Sequence, residues 1–191
     1  MFIRFLFLYF RFLIYRFRYW GRIWFRGFSV IYAFPDSRIY FNCTKENKIN
    51  IFSHPLSNMI GLPQRCIIVA KYGGQIEINE GVCMSGCTIY SMDSITIGKN
   101  TDIGSGCKIT DNDFHPLPYS QRTPEEQLDK VKKRPITIGE GCFIGANSII
   151  LKGTTLGKNV VVGAGSVVSG IFPDNVIIAG NPAKIIKQNE L

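Results

Sequence analysis

The residues of this 191-residue chain best suited to moving a proton are two histidines and two neighbouring acids. His115 lies in "TDNDFHPLPYSQR", residues 110–122, just after Asp111 and Asp113 and just before Pro116. His54 lies in "IFSHPLSN" and also precedes a proline. Histidine titrates near neutral pH, so its imidazole can take a hydroxyl proton as the oxygen attacks a carbonyl. Asp113, Asp111 or a main-chain carbonyl could orient the His115 ring, and either acid could equally cap a turn. His54 falls in a poorly patterned stretch and reads as a structural histidine.

The six cysteines, at 43, 66, 83, 87, 107 and 142, are irregularly spaced. They form no Cys-x-x-Cys pair, and with only two distant histidines no metal site is expected. They read as small buried residues of a reducing compartment.

The elements that must position His115 are set by a rhythm of six. Ile138, Ile144, Ile150, Leu156, Val162 and Val168 follow one another at that interval, and Ile97, Ile103 and Ile109 keep the same beat before the histidine. A fainter pair, Ile78 and Met84, comes earlier. Four residues after the first five of the later series stand Cys142, Ser148, Thr154, Val160 and Ser166. Glycine often follows the aliphatic residue, as at Gly98, Gly104, Gly139, Gly145, Gly157 and Gly163. A period of six suits neither a helix nor a simple alternating strand, and indicates a parallel β-helix with three short faces per coil. Each aliphatic residue would enter a narrow core, and each glycine would occupy a corner where positive φ is easiest. At about 18 residues per coil, residues from about 40 to 172 give roughly six coils once the interruption is removed. Cys107 and Cys142 occupy the small-residue slot and should point inward, which argues against a thiol nucleophile.

The rhythm fails after Ile109, which frees His115 from the core and starts an insertion over 111–135. Thr123-Pro124-Glu125-Glu126 reads as a helix start, with Thr as N-cap and a short helix to about Val131.

The N-terminus is of another kind. Residues 1–33 hold six arginines and no acid, while the remaining chain is nearly balanced at 16 basic and 14 acidic side chains. The longest uncharged run, Gly27 to Pro35, is far short of the ~20 residues that cross a bilayer. On a helical wheel Arg4, Arg11, Arg18, Arg22 and Arg26 fall within about 80° of one another. The rest of the surface is aromatic and aliphatic. A basic aromatic amphipathic helix over 1–33 is therefore expected, lying on an anionic membrane or packed on a partner subunit. Nucleic acid is not expected, because nothing else in the chain extends the basic patch. Residues 34–74 read as irregular opening coils and 75–188 as the regular β-helix.

The stretch "ITIGEGCFIGANSIILKGTTLGKNVVVGAGSVVSGIFPDNVIIAGNPAKII", with the "DxDFHP" break, resembles the hexapeptide-repeat acyltransferases, in particular the maltose, galactoside and polysaccharide O-acetyltransferases. The resemblance spans about residues 68–188. It implies an all-β, left-handed parallel β-helix with an N-terminal amphipathic helix and one extruded loop, assembled as a homotrimer. It implies acetyl transfer from acetyl-CoA to a sugar or glycan hydroxyl in surface polysaccharide or glycolipid synthesis, with His115 as the base, while Asp113, Asp111 or a backbone carbonyl, the last being frequent in the family, orients its ring. Ala146, Ala164, Ser169, Lys184 and Lys187 match cofactor-binding positions, and Ser85 and Asp111 are the expected acceptor-binding residues. The loop would reach a neighbouring subunit. Ser169-Gly170-Ile171 departs from the family's usual Thr-Lys-Asp and removes one basic contact. N-acetylation of an amino sugar and a non-catalytic, membrane-docked scaffold are the alternatives. A cytoplasmic protein, peripheral at the inner face of the membrane, is expected.

Overall fold

The computed structural model describes residues 2–54, 64–122 and 128–190. Its body is a parallel β-helix of three sheets. Strands Ile23–Arg26, Val30–Ala33 and Arg38–Asn42 make the first coil, one strand per sheet. Each later coil pairs in parallel register with the one before, as in Phe25↔Ile51, Ile51↔Met84, Met84↔Ile103, Ile103↔Ile144 and Ile144↔Val162. The described strands make six full coils through Ile171–Phe172, and Val176–Gly180 then opens a seventh and pairs antiparallel with Ala183–Gln188. We call the sheets A, B and C in the order the chain visits them. The stack is consistent with the expected left-handed β-helix.

The six-residue beat is the inward column of each face. Ile138, Ile144, Ile150, Leu156, Val162 and Val168 are all buried, as are the small residues Cys142, Ser148, Thr154, Val160 and Ser166. The hydroxyls bond the backbone of the same turn: Ser148 Oγ donates to Gly145 O at 2.7 Å, and Ser166 Oγ to Gly163 O at 2.6 Å. Inward side chains thereby satisfy the buried carbonyls at the corners.

The glycines of the repeat act differently from the expectation of positive φ. A Cβ on Gly139 would stand 2.2 Å from Gly157 O, so this residue is needed because adjacent coils approach backbone to backbone. The left-handed corner positions fall two residues later and include asparagines, such as Asn147 at φ 62° and Asn159 at φ 53°. Asparagine tolerates that region better than other residues with a Cβ.

The N-terminal helix is shorter than the sequence suggests. It spans Phe2–Arg18, and residues 23–33 form two strands of the first coil. Gly21 at φ 75° turns the chain, and Ile23 and Phe25 then point inward while Trp24 and Arg26 point out. Arg22 and Arg26 mimicked a helical stripe because a spacing of four also fits a turn followed by an alternating strand. The helix closes the open end of the coil stack. Phe12 is 4% exposed and its ring meets Phe25 at 5.2 Å and Phe28 at 5.3 Å, while Tyr15 and Tyr19 pack on Phe41. The opening region is also more regular than expected, since Arg38–Asn42, Ile49–Phe52 and Ile67–Ala70 are coil strands in register. No described helix is long and apolar enough to cross a membrane.

Candidate active site

The coil breaks at the corner between sheets B and C. Lys108–Thr110 is the last strand before the break and Ile136–Ile138 the first after it. The two ends of the insertion are fastened to each other. Asp113 N donates to Lys132 O at 3.1 Å, Arg134 N to Asp111 O at 2.9 Å, and Asn112 bridges Lys133 in antiparallel sense. This short stem lets the loop leave the coil without opening it.

Asp111 anchors the stem. Its carboxylate is fully buried and accepts from Ser91 Oγ at 2.6 Å, Met92 N at 2.8 Å, Asp93 N at 2.9 Å and Asn112 Nδ2 at 3.0 Å. It thus satisfies the corner of the preceding coil at the point where its own coil departs. Both oxygens of Asp111, a residue expected to contact an acceptor, are buried and bonded within the chain.

Asp113 makes a different set of bonds. Its carboxylate forms an ion pair and hydrogen bond with Lys152, one coil onward. Its second oxygen is buried with no hydrogen-bond partner among the described residues. The backbone of Asp113 does reach His115, whose N donates to Asp113 O at 2.7 Å. Asn112 Oδ1 accepts from Phe114 N at 2.9 Å, and Phe114 adopts φ 60°. This tight turn presents His115 to solvent, with buried Pro116 behind it. The Phe114 ring lies against Tyr90 at 4.9 Å, which pins the turn to sheet B. His54 is exposed at the corner after Ile49–Phe52, on the second coil, away from the loop on the fourth.

A groove of about 780 Å³ runs beside the loop, lined among others by Leu117, Lys132, Arg134, Leu151, Lys152 and Ser169. Four cations, counting Lys133, face it with Asp129 as the one acid in the lining. The sequence reading missed Lys152 and Arg134, whose place here depends on register between coils.

Of the expected cofactor residues, only Ser169 lines this groove. Ala146 and Ala164 stack at the opposite corner, between sheets A and B, where Gly165 N donates to Ala146 O at 2.8 Å. Lys184 and Lys187 are exposed on the C-terminal strand, opposite Ala179 and Ile177. Ser85 ends a sheet A strand two coils before that corner. Within one chain, then, His115 stands at one corner and Ser85, Ala146 and Ala164 at another. The corner that carries Ala146 and Ala164 suits a thin, extended ligand. It is built on Gly145 and Gly163, and a Cβ on Gly145 would stand 2.6 Å from Ala164 N. Ala179 of the strand Val176–Gly180 borders Gly163, and Lys184 pairs with Ala179.

Thiol chemistry does not suit the site. Burial pushes the Cys107 and Cys142 thiols up to about 11, and both donate to backbone carbonyls of the next coil. Burial together with the Asp102 carboxylate does the same for Cys83. The cysteines of the repeat are core residues.

Residues 135–169 match the family model described as the hexapeptide repeat of succinyl-transferase. That stretch of the β-helix is similar to the hexapeptide repeat. Over 124 residues the chain is 37% identical to WbbJ of Escherichia coli, whose name assigns it to lipopolysaccharide biosynthesis as an O-acetyl transferase. That match covers 63% of this chain and 61% of WbbJ. Galactoside O-acetyltransferase of the same organism is 34% identical over 119 residues, covering 62% of this chain and 56% of its own length. The chain thus spans about six-tenths of the length of these curated relatives. Among solved structures, a variant of AntD, an N-acyltransferase from Bacillus cereus, superposes with a TM-score of 0.57 at 21% identity, covering 84% of this chain and 82% of AntD. That likeness concerns the hexapeptide-repeat fold alone. The helix Phe2–Arg18 lies outside the matched repeat residues.

Proposed function

We propose that the protein is an acetyl-CoA-dependent O-acetyltransferase acting on a sugar hydroxyl, in surface polysaccharide or glycolipid synthesis. The observation that carries this reading is the turn at Asn112–Pro116, which lifts His115 out of the repeat between Lys108–Thr110 and Ile136–Ile138. The names of the sugar O-acetyltransferase relatives support the reaction class.

His115 takes the proton of the acceptor hydroxyl, and the oxygen attacks the acetyl carbonyl as that proton leaves. The acetyl thioester supplies the acyl group. His115 then returns the proton to the departing thiol sulfur, so the enzyme ends as it began and no acyl-enzyme forms. The bond from His115 N to Asp113 O fixes the turn that carries the imidazole. The glycine-floored corner with Ala146 and Ala164 takes the extended arm of the coenzyme, and Lys184 and Lys187 take its phosphates. Because His115 and that corner lie on opposite edges of sheet B, the reading includes a homotrimer in which one subunit's loop meets its neighbour's corner. The helix Phe2–Arg18, with its outward aromatic face, docks the enzyme peripherally on the inner face of the membrane.

The test is thiol release from acetyl-CoA with a panel of nucleotide-linked and lipid-linked sugars. Wild type should release thiol only with a hydroxyl acceptor. His115→Ala should lower the rate at least a hundredfold with unchanged melting temperature and oligomeric state. Near-wild-type transfer in that variant overturns the assignment, and transfer only to amino sugars replaces O- by N-acetylation.

A further inference from the structure

Both tryptophans of the chain line one groove. Trp20 and Trp24 wall a cleft of about 460 Å³ where the N-terminal helix gives way to the first strand. Gly21, Ile23 and Phe25 line it too, and Arg16 and Lys48 bring two exposed cations. No residue of the lining is acidic, and neither cation is in a salt bridge among the described residues. The nearest acid in sequence, Glu46, is fully exposed, bonds Thr44 and its own backbone, and also feels the charges of Lys45 and Lys48. Trp20 is 67% exposed and Trp24 52%.

The helix that supplies Arg16 to the groove carries a second feature. At about 100° per residue, the helix face opposite buried Phe12 carries Leu6, Phe10, Ile14 and Phe17. These are exposed by 43%, 59%, 60% and 68%. Arg16 and Arg18 stand at its two edges, about 100° to either side of its centre. A helix that turns its apolar face to solvent, with cations along both margins, is built for a surface that is apolar at depth and anionic at its boundary. A second copy of this face would meet it with the same arginines and no acid, since residues 1–33 contain none.

We propose that the groove seats the phosphate of an anionic phospholipid. Arg16 and Lys48 bind the phosphate, while Trp20 and Trp24 lie at the ester level, where indole prefers to sit. Phe10, Ile14 and Phe17 enter the acyl layer. This rests on the membrane reading given above and adds to it a defined headgroup site.

The two tryptophans make the site directly observable, because all indole emission of the chain comes from this groove. Sedimentation and tryptophan emission would be measured with vesicles of phosphatidylcholine alone and of equal parts phosphatidylcholine and phosphatidylglycerol. Wild type should bind the mixed vesicles more tightly, with a blue-shifted emission that brominated lipid quenches. Arg16→Gln with Lys48→Gln should weaken that binding by tenfold or more and cancel the blue shift. Arg18→Gln with Lys45→Gln removes the same charge outside the groove and should cost at least threefold less. Equal losses in the two pairs overturn the seat in favour of diffuse attraction. Displacement from vesicles by millimolar inorganic phosphate would also overturn it, by making the groove a site for free phosphate. Failure of wild type to bind either vesicle, or undiminished binding by Phe10→Ser with Phe17→Ser, would instead sink the membrane reading itself.

Discussion

Lys152 bonds to Asp113 across the interruption in the coil, tying the root of the His115 turn to the coil that follows. The carboxylate nearest the imidazole in sequence is therefore engaged by a residue 39 positions away. Asp113→Asn and Lys152→Met should each cost about 1 to 2 kcal/mol of stability, the low end because both groups keep some exposure. The double variant should lose less than the sum of the two. Urea denaturation of the four proteins measures this directly, and additive losses would mean that the pair contributes nothing.

Asp111 should matter more to folding than either. Replacing it by Asn keeps the shape but turns a donor toward the N–H group of either Met92 or Asp93. The expected loss is about 3 kcal/mol, with transfer activity falling as the stem loosens. Amide exchange at Met92 and Asp93 should quicken in this variant and not in His115→Ala.

The repeat glycines divide by cause, and substitution separates them. Gly139→Ala puts a methyl against the backbone of the next coil and should cost about 3 kcal/mol or prevent folding. Gly73→Ala meets nothing within 4 Å and suffers only its φ of 82°, so the expected loss is about 1 to 2 kcal/mol. Similar melting temperatures for the two would refute the close-approach account.

The core thiols set an alkaline limit. Their folded pKa values are raised to about 11 at Cys83, Cys107 and Cys142, against a reference of 9.0. A raised folded value means stability is fully present below the unfolded pKa and is lost as pH climbs through the folded one. The melting temperature should therefore decline between about pH 9 and 11, and decline less in Cys107→Ala with Cys142→Ala. Iodoacetamide at pH 8 should label the native protein slowly, since Cys43 and Cys83 alone are partly exposed.

Much of this was readable in the residues because the repeat imposes a period that few folds share. Ile138 through Val168 specify the coil, and its failure after Ile109 locates the loop and His115. What could not be read depends on register between distant coils. The pairing of Lys152 with Asp113, the burial of Asp111 under Ser91 and Met92, and the stem joining Asn112 to Lys133 follow from stacking, which no local pattern encodes. The first coil was hidden for another reason. Ile23–Arg26 and Val30–Ala33 are so uniformly apolar and aromatic that a four-residue alternation could not stand out from a helical stripe. The proposed helix from Thr123 lies mostly outside the described residues; of its span, Leu128–Lys130 forms a single 3-10 turn.

The stem at Asp111–Asp113 and Lys132–Arg134 closes its loop the way a drawstring closes a bag. Beyond it, the intervening chain can lengthen, shorten or change composition at small entropic cost, because the coils above and below already hold each other in register. Under the proposed function, acceptor preference can diverge through this one segment while the scaffold and the Ala146–Ala164 corner stay the same, which makes the loop an exchangeable cassette for engineering.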